Sequence, residues 1–451
     1  MTRINQKDIF YHLYPLGALG APRKNDFQSL PVTRLRQMEG WLDHIQALGA
    51  TALYLGPVFE SGTHGYDTAD YYQVDRRLGD RSDLAAFSQA LHARGMKLVL
   101  DGVFNHVGRQ FWAFRDLLAN LQGSPYAAWF DGLNFDQTSP LGDPFSYLAW
   151  NGHFDLVKLN LANPAVREHL FGAVAMWKEE FAIDGIRLDA ADALSPEFMR
   201  ELRGFVDRID PDMWLMGEVI HGDYRGWAND AMLHAVTNYE LYKSTYSSFN
   251  DGNFFELAHS LKREFGANGI YKHLATIYNF GDNHDVTRLA SQLREKRHLY
   301  PLYALLFSFP GLPSVYYGSE FGFEAVKQND DWNLRPAFDL LAMRNQEHAF
   351  DLREWIGKLA VIRKNSPALM FGDYREVWVA SKQFVFIRAY GQKRAVAAVN
   401  SADDPARIQC DLAELNGWHF WDALAEGEPF VVQNGCLSVE LAPNQVRLLV
   451  N

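Results

Sequence analysis

Two stretches, Asp184-Gly-Ile-Arg-Leu-Asp189 and Trp214-Leu-Met-Gly-Glu218, carry one pattern twice: a short apolar strand ending on a carboxylate, with a helix expected after each. In a βα-barrel the carboxyl ends of neighbouring strands converge on one pocket, so Asp189 and Glu218 are expected to face the same substrate bond. Two carboxylates in a sugar-sized cleft are the working pair for cleaving a glycosidic bond.

The alternation extends outward from this centre. Ile9 to Tyr14 reads as a first strand with a helix over Thr33 to Leu48, and Ala52 to Leu55 as a second strand. Ser82 to Arg94 sets Leu84, Phe87 and Leu91 at helical spacing and Gly95 stops it, before a third strand from Lys97 to Asp101. Asn163-Pro164 supplies a cap and a first-turn proline for a helix whose apolar stripe is Val166, Leu170, Val174, Trp177 and Phe181. Ser195-Pro196 opens another, with Phe198, Leu202 and Phe205 expected inward. Ala235 to Tyr239, Thr276 to Phe280 and Ser314 to Tyr317 complete eight strands, giving an α/β fold, a (β/α)8 TIM barrel. The expected barrel occupies residues 1–105 and 162–366, interrupted by a loop-rich inserted domain at 106–161. Short β-type runs without helices follow, at Glu376 to Ala380, Phe384 to Ala389, Arg394 to Asn400, Phe430 to Val432 and Val446 to Val450. They predict an antiparallel β-sandwich over 367–451.

A net charge of -12 disfavours nucleic acid and anionic membrane as partners and leaves neutral substrates unaffected. No run approaches membrane-helix length, no signal peptide is visible, and the only cysteines are Cys410 and Cys436, so a cytoplasmic location is expected.

Five strand ends are polar in a chemically coherent way. Strand two leads into His64-Gly-Tyr66-Asp67, strand three ends Asp101-Gly-Val-Phe-Asn-His106, and strand seven ends Asp282-Asn-His284-Asp285; Arg187-Leu-Asp189 and Glu218 close strands four and five. Each alone has an ordinary structural explanation as a cap or ion pair; five in one barrel point to a site. Asp189, beside Arg187, is expected to stay ionised and act as nucleophile. Glu218 fits the proton donor, provided the pocket favours its protonated form. Asp285 fits stabilisation of the oxocarbenium-like state. Tyr66, Asp67, His106, Arg187, His284 and, after strand eight, Arg335 are the substrate-binding candidates.

These motifs, in this order, resemble the α-amylase family of glycoside hydrolases. The resemblance implies a retaining mechanism with Asp189 as nucleophile, Glu218 as acid/base and Asp285 as transition-state stabiliser. Leu156-Val-Lys-Leu-Asn160 is similar to the Met-Pro-Lys-Leu-Asn signature of the neopullulanase and cyclomaltodextrinase branch. That branch implies hydrolysis of short or cyclic maltooligosaccharides, with transglycosylation or α-glucosidase action as alternatives, and a non-catalytic sugar-binding relative as a further one. Two departures stand out. The first barrel strand begins near residue 9, so the branch's extra amino-terminal domain, and dimers built by swapping it, are not expected, and the oligomeric state is left open. Ala190-Ala191-Asp192 replaces the Lys-His pair of many relatives, and Gly17 to Pro31 lacks a calcium-binding cluster, so no metal and no cofactor are expected.

Overall fold

The computed structural model describes residues 2–274 and 276–451. Eight parallel strands form its central sheet: β1 (Phe10–Leu13), β2 (Ala52–Leu55), β3 (Lys97–Gly102), β4 (Gly185–Leu188), β5 (Trp214–Gly217), β6 (Ala235–Val236), β7 (Tyr278–Phe280) and β8 (Leu312–Tyr316). Their spatial order is β6-β5-β4-β3-β2-β1-β8-β7. A parallel bridge between Thr237 and Tyr278, and a 2.8 Å hydrogen bond from the Asn238 N–H to the Tyr278 carbonyl, bring β6 against β7 and close the ring. Because side chains alternate along each strand, Phe10, Tyr54, Val99, Trp214, Met216 and Tyr278 fill the barrel interior. Their neighbours Tyr11, Leu53, Leu98, Leu100, Ile186 and Leu215 face the helices outside.

Helices follow most strands: α1 (Glu39–Ala47), α2 (Arg81–Ala93), α3 (Pro164–Phe181), α4 (Pro196–Ile209), α5 (Tyr239–Asp251), α6 (Leu299–Ser308) and α7 (Arg353–Asn365). The caps read from sequence form. Asn163 accepts from the Ala165 N–H and Ser195 from the Phe198 N–H. The whole predicted stripe of α3 is buried. On α4 the inward residues are Phe198, Met199, Leu202 and Val206, whereas Phe205 is only half-buried, stacked on Phe171. The helix expected after Glu218 does not form. Gly222 (φ 105°) and Gly226 break the segment, and a single turn at Tyr224–Gly226 carries the chain to β6.

Between β3 and α3 the chain forms an excursion with a three-stranded antiparallel sheet (His106–Gly108, His153–Lys158, Ala149–Trp150) and a helix, Trp112–Asn120. Beyond the barrel, β9 (Asp373–Val379), β10 (Gln383–Tyr390), β11 (Lys393–Asn400), β12 (Ala406–Asp411), β13 (His419–Asp422), β14 (Phe430–Val431), β15 (Cys436–Leu441) and β16 (Val446–Val450) make two antiparallel layers. One sheet runs β9-β10-β11-β16-β13-β14, and β12 pairs with β15. Phe384, Phe386, Ala397 and Leu448 point one way, into the barrel's core cluster. Val385, Ile387, Val396 and Leu449 point the other way, onto Ile408, Cys410, Leu437 and Val439.

Candidate active site

Arg187 is the hub of the carboxyl-terminal face. In the β3–β4 register it lies directly opposite Asp101. Its Nη1 donates to both Asp101 oxygens, at 2.8 and 3.1 Å, and to Asp189 Oδ1 at 3.0 Å. Its Nη2 meets Glu218 Oε2 at 2.8 Å. One buried guanidinium therefore holds three carboxylates from three adjacent strands. Burial opposes its charge, but the anionic partners, Asp101 and Glu218 foremost, keep it firmly protonated.

The same sharing weakens the hold of Arg187 on the charge of Asp189. Burial pushes the Asp189 carboxyl well above the usual carboxylate range; Arg187 pulls it back, and Glu218, Asp101 and Asp285 push it up again. Arg187 divides its attraction among three acids, so desolvation wins at Asp189. The next residue, Ala190, sits in the left-handed region (φ 44°), a strained turn that aims its N–H at Glu218 Oε2, 3.1 Å away.

Asp285 comes from the loop after β7. Asn283 Oδ1 accepts its N–H at 2.8 Å, while His284 Nε2 (2.9 Å) and Arg335 Nη2 (2.8 Å) flank its carboxylate. Burial alone would raise its pKa, but these two groups overcome that and hold it well below the usual range. The Tyr66 ring joins the two halves of the cluster, with the Arg187 and Arg335 guanidinium carbons each 5.8 Å from its centroid. Its hydroxyl donates to Asp101 at 3.1 Å and also meets His284 Nε2. Asp189, Glu218 and Asp285, read separately from sequence, thus belong to one polar cluster.

His106 faces Asp189, with Nε2 3.8 Å from Oδ2, and Nε2 has no hydrogen-bond partner among the described residues. Arg335 is committed to the protein: besides Asp285 it donates to the His284 carbonyl and to Asp331. Asp67 turns away from the cluster and accepts from the Thr63 N–H and hydroxyl, bracing the loop that presents Tyr66. Of the aromatics in the excursion, Phe111, Trp129, Phe130 and Tyr147 are buried packing. Trp150 is the one beside the site, 5.6 Å from the His106 ring. Asn160 of the Leu156–Asn160 segment donates to the Ala128 carbonyl and ties the excursion together.

Sequence reasoning left three participants out. Asp101 ends a strand in the sequence, but only the strand register reveals it as the principal partner of Arg187. Tyr54 donates to Asp101 Oδ2 at 2.8 Å, and Tyr239 Oη lies 3.5 Å from Glu218 Oε1. A hollow of about 550 Å3 between Leu19, Trp41 and Phe338 lies elsewhere, and its one carboxylate, Asp339, is occupied capping a helix. The convergence of acids, not cavity size, locates the site. No group of three or more His, Cys, Asp and Glu suited to a metal ion occurs among the described residues.

Residues 35–355 match the family profile described as alpha-amylase, catalytic domain. Neopullulanase 2 of Thermoactinomyces vulgaris is 32% identical over 419 residues, covering 91% of this chain and 69% of that protein. A cyclomaltodextrinase of Geobacillus thermopakistaniensis (strain MAS1) is 30% identical over 411 residues, covering 89% and 67%. Among solved structures, the cyclic alpha-maltosyl-(1→6)-maltose hydrolase from Arthrobacter globiformis, in complex with that cyclic sugar, superposes with a TM-score of 0.83 at 26% identity, covering 100% of both chains.

Proposed function

This chain belongs to the alpha-amylase family, and from that premise we propose that it is a retaining α-glycosidase hydrolysing α-glucosidic bonds in short or cyclic maltooligosaccharides. The observation that carries the reading is the single Arg187 guanidinium holding Asp189 and Glu218 together. Asp189 attacks the anomeric carbon while Glu218 protonates the departing oxygen, giving a covalent glucosyl-enzyme. Glu218 then takes a proton from the water that releases the sugar, and two inversions leave the α-configuration. Asp285, held ionised by His284 and Arg335, stabilises the positive charge that develops in each transition state. The same developing charge favours the ionised form of Asp189 against the burial that opposes it.

His106 Nε2 and His284 are placed to bind hydroxyls of the sugar under attack, and Tyr66 to contact its ring. Arg335 acts on the substrate through Asp285, and Asp67 through the Tyr66 loop. The substrate class follows the relatives, one named for cyclomaltodextrin and another, solved with a cyclic maltose-based sugar, named for its hydrolysis.

A panel of maltotriose, pullulan, cyclic dextrins, isomaltose and trehalose, read by product size and anomeric configuration, tests the proposal. Release of the α-anomer from maltotriose or a cyclic dextrin is expected, and Asp189→Asn should lower turnover by at least about 10³-fold. An initial β-anomer would refute retention. Mainly elongated products would replace hydrolysis by transglycosylation.

A further inference from the structure

We propose that Tyr239 is a positioning residue for Glu218, holding it so that Oε1 is the oxygen that carries and delivers the catalytic proton. The inference rests on the acid/base assignment of Glu218 above and deepens it.

The two oxygens of Glu218 stand in different surroundings. Oε2 faces Arg187 Nη2 at 2.8 Å and the Ala190 N–H at 3.1 Å. Two donors, one of them cationic, occupy its lone pairs, so a proton there would point at other protons. Oε1 faces the Tyr239 hydroxyl at 3.5 Å. The transferable proton therefore belongs on Oε1. Tyr239 is also directed. Asn283 Nδ2 donates to the phenolic oxygen at 3.1 Å, which leaves the single O–H to turn toward Glu218. A separation of 3.5 Å is long, but catalytic hydrogen bonds commonly tighten once substrate is seated.

Three features hold the ring in place. Tyr239 opens α5, whose cap Asn238 accepts from the Leu241 N–H and donates to Glu264 and Asn279. Phe280 packs edge-on against the ring at 4.9 Å. Thr237, two residues earlier, accepts the Val219 N–H and so pins the backbone next to Glu218. Burial, with Glu218 and Asp285 nearby, pushes the phenol's pKa well up, so it remains a neutral donor.

In the first step the Glu218 Oε1–H bond breaks and its proton moves to the glycosidic oxygen. The bond from that oxygen to the anomeric carbon breaks with its electron pair staying on oxygen, and an Asp189 oxygen bonds to the carbon. Glu218 is left anionic, and the hydrogen bond from Tyr239 strengthens as charge appears on Oε1. That is stabilisation specific to the transition state. It matters only where the leaving group needs a proton.

The test compares kcat/KM of wild type and Tyr239→Phe on maltotriose and on α-maltosyl fluoride, because fluoride departs without protonation and kcat/KM reports the first chemical step. A loss of about 10- to 30-fold on maltotriose is expected, against less than about 3-fold on the fluoride. Equal losses on both substrates, or no loss on either, would overturn the proposal, since a merely structural defect does not distinguish leaving groups. Glu218→Gln runs alongside as the control. It should show the same split more strongly; if it slows neither substrate, the acid/base assignment fails and Tyr239 falls with it.

Discussion

His106 shows how a single side chain is set for its task by its surroundings. Burial, reinforced by the nearby His64, lowers its pKa to about 3, so the ring is neutral wherever the enzyme works. Asn105 Nδ2 lies 3.1 Å from Nδ1 and makes that atom the acceptor, which leaves the proton on Nε2, aimed toward Asp189 and without a partner among the described residues. A neutral donor pointed at the nucleophile suits a sugar hydroxyl. We expect His106→Ala to lower kcat/KM by about 3- to 10-fold, the worth of a hydrogen bond between neutral groups. The acid limb of the pH profile should stay where it is, because His106 does not titrate there; a displacement of that limb would contradict the assignment. The sequence makes such residues visible when they closely follow a barrel strand, as Asp189, Glu218, Asp285 and His106 do. It hides Asp101 as the partner of Arg187, since that contact depends on register, and it hides Tyr239, which no spacing singles out.

At the scale of elements, the site depends on how α5 is anchored. Asn238, its cap, donates to Glu264 Oε2 at 2.9 Å, and Glu264 is fully buried with Oε1 lacking any partner among the described residues. Burial pushes the Glu264 carboxyl up to about 8, outweighing the Asn238 hydrogen bond that lowers it. In the unfolded chain the group titrates near 4.5, so between that pH and about 8 the folded state holds a proton that the unfolded state has released. Stability from this group is thus full below about pH 4.5 and is lost as pH rises toward 8, with an upper bound of about 5 kcal/mol. Glu264→Gln keeps the shape and removes the titration. Its stability relative to wild type should therefore improve steadily from about pH 5 to about pH 8, by roughly 1 to 3 kcal/mol after discounting for relaxation. Urea titrations at several pH values decide this, and a pH-independent difference would rule it out. Elements with strong periodicity and caps, α3 above all, were legible in the sequence. The helix expected after Glu218 was not stopped by any apolar pattern but by Gly222 and Gly226, and β12, β13 and β15 went unread because none contains an apolar run longer than two residues.

Across the whole molecule, the barrel and the carboxyl-terminal sheet share one apolar cluster, with Phe384, Phe386 and Leu448 packed among barrel residues. The polar half of that junction is Arg388. Its Nη1 donates to the Ser308 carbonyl at 2.6 Å, and Nε and Nη2 donate to the Gly372 carbonyl at 3.0 and 2.8 Å. Ser308 is the last residue of α6, where helix carbonyls lack intrahelical donors and the helix end is negative. Arg363 of α7 serves the same end through the Phe307, Phe309 and Gly311 carbonyls. Two buried cations side by side repel, so removing one relieves some strain; it also strips two buried carbonyls of their charged donor. The second effect is the larger, at about 1 to 3 kcal/mol for each buried group left unsatisfied. Arg388→Met, similar in length and apolar, should therefore destabilise the protein by roughly 2 kcal/mol. Because the core is continuous across the junction, loss of activity and the change in tryptophan fluorescence should coincide in urea for wild type and variant alike. A variant in which fluorescence changes first while activity persists would show that the sheet comes away from an intact barrel, and that the shared cluster does not couple them.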